Sequence, residues 1–480
     1  MYNRQRQIKE ITSYIPAAEI FRLCANEPDS VFLDSSLVNT LGRYSIIGRR
    51  PYLKLVKEDE RFTVNGEVRT DCTFEAYVRE YLDTHKDENT TNLPILSGAI
   101  GYFSYEYGRK MQGIPSSQPD LVKIPDAVLT FYDSFLIEDC HEKRLYMVAN
   151  GITQPATDIL QETEQLIEQA RYKQEERKHE GNSTMKDAVP ICVTPNFEKE
   201  EYKQTVDRMI RYIIEGDIYI ANMTQHLTVE SEKKPLDVFY DLRQNNPSPF
   251  GGYLSFDGYE IVCASPERFL KMRKNHVNTR PIKGTRKRGT TPEEDQALRI
   301  ELQQSEKDRS ELLMIVDLER NDLNRVCQPG SVKVTELFTV EEYATVFHLV
   351  SDIGGELREG KNVMDLLEAT FPGGSITGAP KYRAMEIIDE LEHGRRNLYT
   401  GSIGYLTLDG DCDLNIVIRT ALHKEGKYYL GVGGGITAES ELEFEYEETL
   451  QKAKAGAGSF TVRKTGGCSY GHGNICWPVL

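Results

Sequence analysis

The feature that most constrains this fold is a succession of short apolar runs of strand type that close on turns. Residues 97–103 and 143–149 are such runs early in the chain, and residues 253–256, 259–264, 401–408 and 428–432 repeat the pattern later. Runs 414–423 and 427–432 follow each other closely enough to read as a hairpin, which points to mixed or antiparallel sheets and away from a regular βαβ array. Helical spacing is confined to fewer places. Val206, Met209, Ile210, Ile213 and Ile214 recur at that spacing behind Asn196, a candidate cap, and stop at Gly216. Residues 308–320, 362–369 and 380–391 also look helical.

A chain of 480 residues exceeds one ordinary core. Within residues 171–180, eight of ten are charged or histidine, and Gly181-Asn182-Ser183-Thr184 follows. Such a stretch buries too little apolar surface to offset its chain entropy. Residues 171–195 are therefore expected to be a disordered or surface linker between an amino-terminal region, 1–170, and a second region, 196–455. Residues 456–480 are Gly-rich, lack periodicity and hold the only tryptophan, Trp477, so they read as a tail of unassigned role.

The balance of 75 acidic against 58 basic residues, net −17, argues against nucleic acid or an anionic membrane surface as a partner. An anionic substrate would need a locally basic site or a metal, because distant charge is screened beyond about 8 to 10 Å. No apolar run approaches the roughly 18 residues that span a bilayer, and residues 1–10 lack the apolar core of a secretory signal. Nine scattered cysteines, without C-x-x-C spacing, fit free thiols in a reducing compartment. A cytoplasmic location is expected.

Four segments of the second region carry a resemblance. They are Ala264-Ser265-Pro266-Glu267-Arg268-Phe269 with Arg280-Pro281-Ile282-Lys283-Gly284-Thr285-Arg286; residues 306–318 with Arg320-Asn321-Asp322; Pro372-Gly373-Gly374-Ser375-Ile376-Thr377-Gly378-Ala379-Pro380-Lys381; and Gly433-Gly434-Gly435-Ile436 with Glu445-Tyr446-Glu447-Glu448-Thr449. Each alone is weak, but in this order and spacing they closely resemble the chorismate-utilising family, which includes anthranilate, aminodeoxychorismate, isochorismate and salicylate synthases. Leu33-Asp34-Ser35 and residues 42–48 resemble its amidotransferring branch. The resemblance implies an α+β fold of large antiparallel sheets packed as a sandwich flanked by helices, with the amino-terminal region completing the same body.

Asp308 and Glu311 lie three apart on an expected helix, as do Glu445 and Glu448, so each pair shares a face. An isolated pair of this kind is more often a solvated helix face. The resemblance implies instead that Glu311 and Glu448 are ligands of Mg2+ and that Asp308 and Glu445 hold its waters, which suits an ion that keeps waters beside one or two carboxylates. Chorismate carries two carboxylates, and Arg419 and Lys452 match the family's carboxylate-binding positions. Gly378 and the run Gly433, Gly434 and Gly435 would let backbone N–H groups approach the substrate. Thr377, Tyr405 and Ile436 match substrate-lining positions, and His348 matches a histidine near the reacting ring, although a histidine beside Phe347, Leu349 and Val350 is equally a core residue. Asp34, Ser35 and Ser45 resemble positions lining a tryptophan pocket.

The residue that separates branches is the third of Pro281-Ile282-Lys283-Gly284-Thr285, where anthranilate synthases usually carry alanine and salicylate synthases threonine. In aminodeoxychorismate synthases a lysine here resembles a nucleophile that attacks C2 of the ring while the C4 hydroxyl leaves; ammonia then attacks C4 and expels the lysine. Some of Arg280, Arg286, Lys287 and Arg288 are expected to favour the uncharged amine by repulsion. Glu267 is the matching general acid for the hydroxyl. Ile220 stands where the isochorismate-forming branch has a lysine base, which argues against water as nucleophile. No segment resembles a glutamine amidotransferase nucleophile site, so ammonia is expected from a separate glutaminase subunit. The rival expectations are an anthranilate synthase component I, suggested by residues 42–45 and 246–250, and a regulatory subunit that binds chorismate or tryptophan without catalysis.

Overall fold

Strand Ala127–Asp139 is buried along its whole length, and the sheet divides on it. In the computed structural model, which describes residues 5–180, 191–343, 346–460 and 475–477, one edge of this strand pairs with Tyr44–Glu58 from Tyr44↔Asp139 to Lys57↔Ala127. Its other edge takes two partners, Gly98–Phe103 along the first part and Arg144–Ala149 along the second. A strand shared in this way sends the sheet off in two directions, and every pairing between the named strands is antiparallel.

The first limb runs from Tyr44–Glu58 through Val31–Asp34, Phe250–Phe256, Tyr259–Ser265, Thr420–Lys424 and Lys427–Ile436 to Ile220–Glu230. The second runs from Gly98–Phe103 through Ser402–Thr407, Cys412–Asn415, Arg268–Arg273 and His276–Thr279 to Val346–Glu356, which also pairs with Ile282–Lys287 and Lys333–Glu342. Val31–Asp34 and Gly98–Phe103 are each inserted between strands from other parts of the chain, so the amino-terminal region is stitched into both limbs. Ile100, Tyr102 and Ile403 of one limb share a core with Leu254, Ile261 and Cys263 of the other. This is the expected sandwich of antiparallel sheets, and burial of its facing side chains is what holds it.

Helices cover the outer faces. Glu306–Asn324 seats Leu312, Val316 and Leu323 against Leu349 and Ile353 of the second limb. Lys199–Glu215 buries Tyr202, Val206 and Met209, while Ile214, at apolar spacing in the sequence, is 71% exposed because it falls on the outer edge of the stripe. The helix begins on a capping box made by Glu198 and Glu201 rather than on Asn196. Asn196 instead accepts the His226 N–H and donates to the His393 carbonyl.

The expected linker is corrected at both ends. Residues 171–180 extend helix Ala156–Glu180, whose first half packs Ile159, Ile167 and Ala170 into the core. The charged run continues it as a solvated helix with Arg171–Glu168 and Arg177–Glu19 ion pairs, since Lys, Glu, Arg and Gln are good helix formers. Ile191–Pro195 is a strand on the edge of Ile220–Glu230, with Val193 opposite Val229. Residues 181–190 lie outside the described residues. Of the expected tail, helix Leu442–Ala457 enters it, a short turn Gly458–Phe460 buries Phe460, and Ile475–Trp477 pairs with Ile191–Pro195. Among the described residues no helix is long and apolar enough to cross a membrane.

Candidate active site

Strand Lys427–Ile436 ends in the glycine run, and two of those glycines mark where the chemistry gathers. A Cβ on Gly434 would sit 2.7 Å from a Glu448 carboxylate oxygen, 3.4 Å from Glu445 and 3.6 Å from Lys452 Nζ. A Cβ on Gly435 would sit 3.4 Å from Lys283 Nζ and 3.9 Å from a Glu311 oxygen. Helix Leu442–Ala457, helix Glu306–Asn324 and strand Ile282–Lys287 therefore aim their charged groups at one stretch of bare backbone. Any side chain there would occupy their meeting place.

Lys283 Nζ donates to the Ser375 carbonyl at 3.3 Å, and Ser375 belongs to the single turn Gly374–Ile376. Ser375 also favours the charged form of Glu267. Glu267 is buried, and burial raises its carboxyl above the ordinary range, opposed by Ser375, Lys283, the Ile282 N–H and Arg419. It can hold a proton where an exposed glutamate would have lost it. The expected repulsion around Lys283 does not come from the arginines. Arg280 pairs with Glu336, Glu341 and Asp352, Arg286 with Glu301 and Asp308, and Arg288 with Asp295, so each of these charges is already met by carboxylates.

Arg419 sits at φ +50, and among the described residues its guanidinium makes no ion pair. Desolvation works against its charge and Glu267 supports it, although the residue as a whole is exposed to solvent. His348 Nδ1 lies 2.9 Å from the Thr285 hydroxyl, and burial together with Arg419 pulls its pKa down to about 4. It is a neutral imidazole facing this site. Lys452 donates to the Gly433 carbonyl at 2.8 Å and to Glu448 at 3.0 Å.

The acidic set has the donor chemistry of a hard-cation site. Glu311 and Glu445 are both raised, first by burial and further by the charge of Glu448, so these carboxylates repel one another until a cation arrives. Among the described residues no three such side chains close into a cage. An ion that retains waters beside one or two carboxylates needs none. Asp308 is held by Arg286 at 3.0 Å, and Gly284, at φ +72, lets it approach: a Cβ there would lie 2.8 Å from the Asp308 carboxyl carbon.

Three expected lining residues are not brought to the cleft as side chains. Tyr405 lies mid-strand opposite Ile100 and Asp413 and faces a second cavity, because strand alternation turns it away from the glycine run. Ile436 packs into a core with Ala384 and Tyr446. Thr377 is buried and donates to the Gly373 carbonyl at 2.9 Å, and Gly378 is glycine because a Cβ would strike the Ile220 carbonyl. Tyr399, which sequence reasoning passed over, interacts with Glu267 and lies against Gly431, where no side chain would fit. No periodicity marks it; only its position before strand Ser402–Thr407 offers a signal.

The second cavity, about 580 Å³, lies between the limbs. Asp34 and Ser35 line it, and Ser45 stands behind them, accepting the Ser35 N–H at 3.0 Å. Burial pushes Asp34 up to about 6 against the pull of Arg243, which donates to it at 2.9 Å. Lys271, Arg273 and Tyr405 form the opposite wall.

Comparison with known proteins gives a consistent set. Residues 40–457 match a family described as chorismate binding enzyme. The chain is 38% identical over 426 residues to anthranilate synthase component 1 of Acetivibrio thermocellus, covering 86% of each. It is also 38% identical over 424 residues to aminodeoxychorismate synthase component 1 of Bacillus subtilis, covering 86% of this chain and 88% of that one. The crystal structure of anthranilate synthase component I from Streptococcus pneumoniae superposes with a TM-score of 0.76 at 31% identity, covering 88% of this chain and 93% of that one.

Proposed function

The chain belongs to the chorismate binding enzyme family, and from that premise we propose that it aminates chorismate at C4, giving 4-amino-4-deoxychorismate for the route to p-aminobenzoate and folate. The observation that carries this choice is Lys283, an amine that reaches the glycine run beside Glu311 and shares the Gly374–Ile376 turn with the buried acid Glu267. Lys283 attacks C2 as Glu267 gives its proton to the departing C4 hydroxyl. Ammonia then forms the C–N bond at C4 and the lysine leaves from C2. The enolpyruvyl group is retained.

Arg419 and Lys452 are the cations for the substrate's carboxylates, and Gly433, Gly434 and Gly435 keep its path clear. Glu311 and Glu448, with Asp308 and Glu445 behind them, would hold Mg2+. When bound, that ion supplies charge stabilisation for an anionic substrate in a site otherwise rich in carboxylates. Ammonia comes from a separate glutaminase subunit, a reading supported by the component 1 names of the relatives. The reaction is placed in the cytoplasm. The second cavity, with Asp34, Ser35 and Ser45 at one end, is the pocket for tryptophan.

The equal identity to an anthranilate synthase component 1 favours one alternative, amination at C2 followed by loss of pyruvate. Incubation of the purified chain with chorismate, Mg2+ and ammonium salt, with products separated by mass, decides between them. 4-Amino-4-deoxychorismate is expected, fluorescent anthranilate would establish the alternative, and no chorismate consumption would leave only a binding or regulatory role.

A further inference from the structure

About two helical turns beyond Glu311, helix Glu306–Asn324 carries a carboxyl that the chemistry above does not use. Glu319 is 7% exposed, and its polar neighbour is Thr279 at the end of strand His276–Thr279. The Thr279 hydroxyl lies 2.7 Å from the Phe269 carbonyl and 3.0 Å from Glu319. A hydroxyl has one proton and a carbonyl can only accept. With that proton on the closer carbonyl, the contact with Glu319 runs through the hydroxyl's lone pair, and its proton comes from the acid.

The position of Glu319 gives this consequence. A Cβ on Gly374 would meet Leu318 at 2.9 Å and the Glu319 Cγ at 3.5 Å, so Glu319 stands directly behind the Gly374–Ile376 turn. The next residue of that turn, Ser375, accepts from Lys283 and favours the charged form of Glu267. The charged groups facing Glu319 are few. Asp322, on its own helix, is neutralised by Lys381, which also donates to the Thr370 carbonyl at 2.8 Å. Glu267, beyond the turn, is the other; Thr279 and Gly374 are uncharged. Burial, reinforced by Glu267 and Asp322 and opposed by Thr279 and Lys381, pushes Glu319 up to about 8.

We propose that Glu319 is a positioning residue: a neutral acid that donates to Thr279, backing the turn that holds Glu267 without setting a second negative charge beside it. This rests on Glu267 being the general acid. When Glu319 ionises it no longer carries the proton that Thr279 accepts, the backing of the turn is lost, and Glu267 is held less well for transferring its own proton. Activity should then fall on the alkaline side through Glu319, although Glu319 itself touches no substrate.

The test compares Glu319→Gln, which keeps a donor and cannot ionise, with Glu319→Leu, which keeps bulk and has no donor. Chorismate consumption is followed with Mg2+ and ammonium from pH 6.5 to 9.5. At pH 7 the leucine variant is expected to lose about tenfold in kcat/KM and the glutamine variant to stay within about threefold of wild type. Above about pH 8, the ratio of glutamine variant to wild type, in which the titration of ammonia cancels, should rise toward about tenfold, the loss expected of the leucine variant. A flat ratio, or a leucine variant as active as the glutamine one, overturns the proposal. Infrared difference spectra against pH need no substrate: a protonated carboxyl band present at pH 7 and lost in Glu319→Gln supports it, and its absence overturns it. Wild type that consumes no chorismate would refute the proposed reaction, while the infrared result still decides the state of Glu319.

Discussion

Lys283 donates to the Ser375 carbonyl, and the same serine favours the charged form of Glu267. One turn of three residues thus serves both an amine and a buried acid. In the proposed reaction the two residues have different roles, proton delivery and nucleophilic attack, and separate substitutions can tell them apart.

Lys283→Ala removes the amine yet leaves Glu267, the acidic set and Arg419 in place. Ammonia should then attack C2 directly, and residual product should shift toward aminodeoxyisochorismate, read by chromatography with mass detection. Intact-mass measurement of wild type trapped with chorismate and no ammonia should show an adduct on Lys283. The same C4-aminated product at an undiminished rate, with no adduct, would reduce Lys283 to an anchor.

Glu267→Gln keeps the volume and loses the transferable proton. The rate should fall by about 100-fold or more, since general acid catalysis contributes on the order of 10² to 10⁴. Burial raises the Glu267 carboxyl, so its protonated form persists above the usual carboxylate range and is lost as pH rises through that raised value. The pH–rate profile of wild type should contain this descending limb and that of the variant should not.

Glu448→Gln removes one negative charge with little change in size. Because Glu448 is the charge that raises both Glu311 and Glu445, the variant should weaken Mg2+ binding and activity together while circular dichroism shows the fold intact. An unaltered Mg2+ requirement would remove Glu448 from the ligand set.

Tryptophan binding at the second cavity should depend on Asp34, whose carboxyl is raised to about 6. Above that value the ionised group attracts the ligand's ammonium; as pH falls through it the charge is lost and affinity should drop. Calorimetry at pH 7.5 and pH 5 checks the direction. No heat of binding up to millimolar tryptophan at either pH would exclude tryptophan as a ligand of this cavity.

Local chemistry was readable without coordinates. The hairpin of Thr420–Lys424 and Lys427–Ile436, the shared helix faces of Asp308 with Glu311 and of Glu445 with Glu448, and the lysine at 283 all follow from residue type and short spacing. Turn chemistry and helical period act over a few residues, so the order of amino acids is enough to state them. What the tertiary structure alone decided is which distant groups meet. Strand register aims Tyr405 into the second cavity, and a slip of one residue would have turned it to the other face. Packing of Glu306–Asn324 against the second limb gives Arg286 to Asp308 and puts Glu319 behind Gly374, while Arg280 and Arg288 find carboxylates of their own. Coulomb interactions depend on separation in space, and the residues that set the charge around Lys283 are brought there by sheet pairing rather than by their distance along the chain.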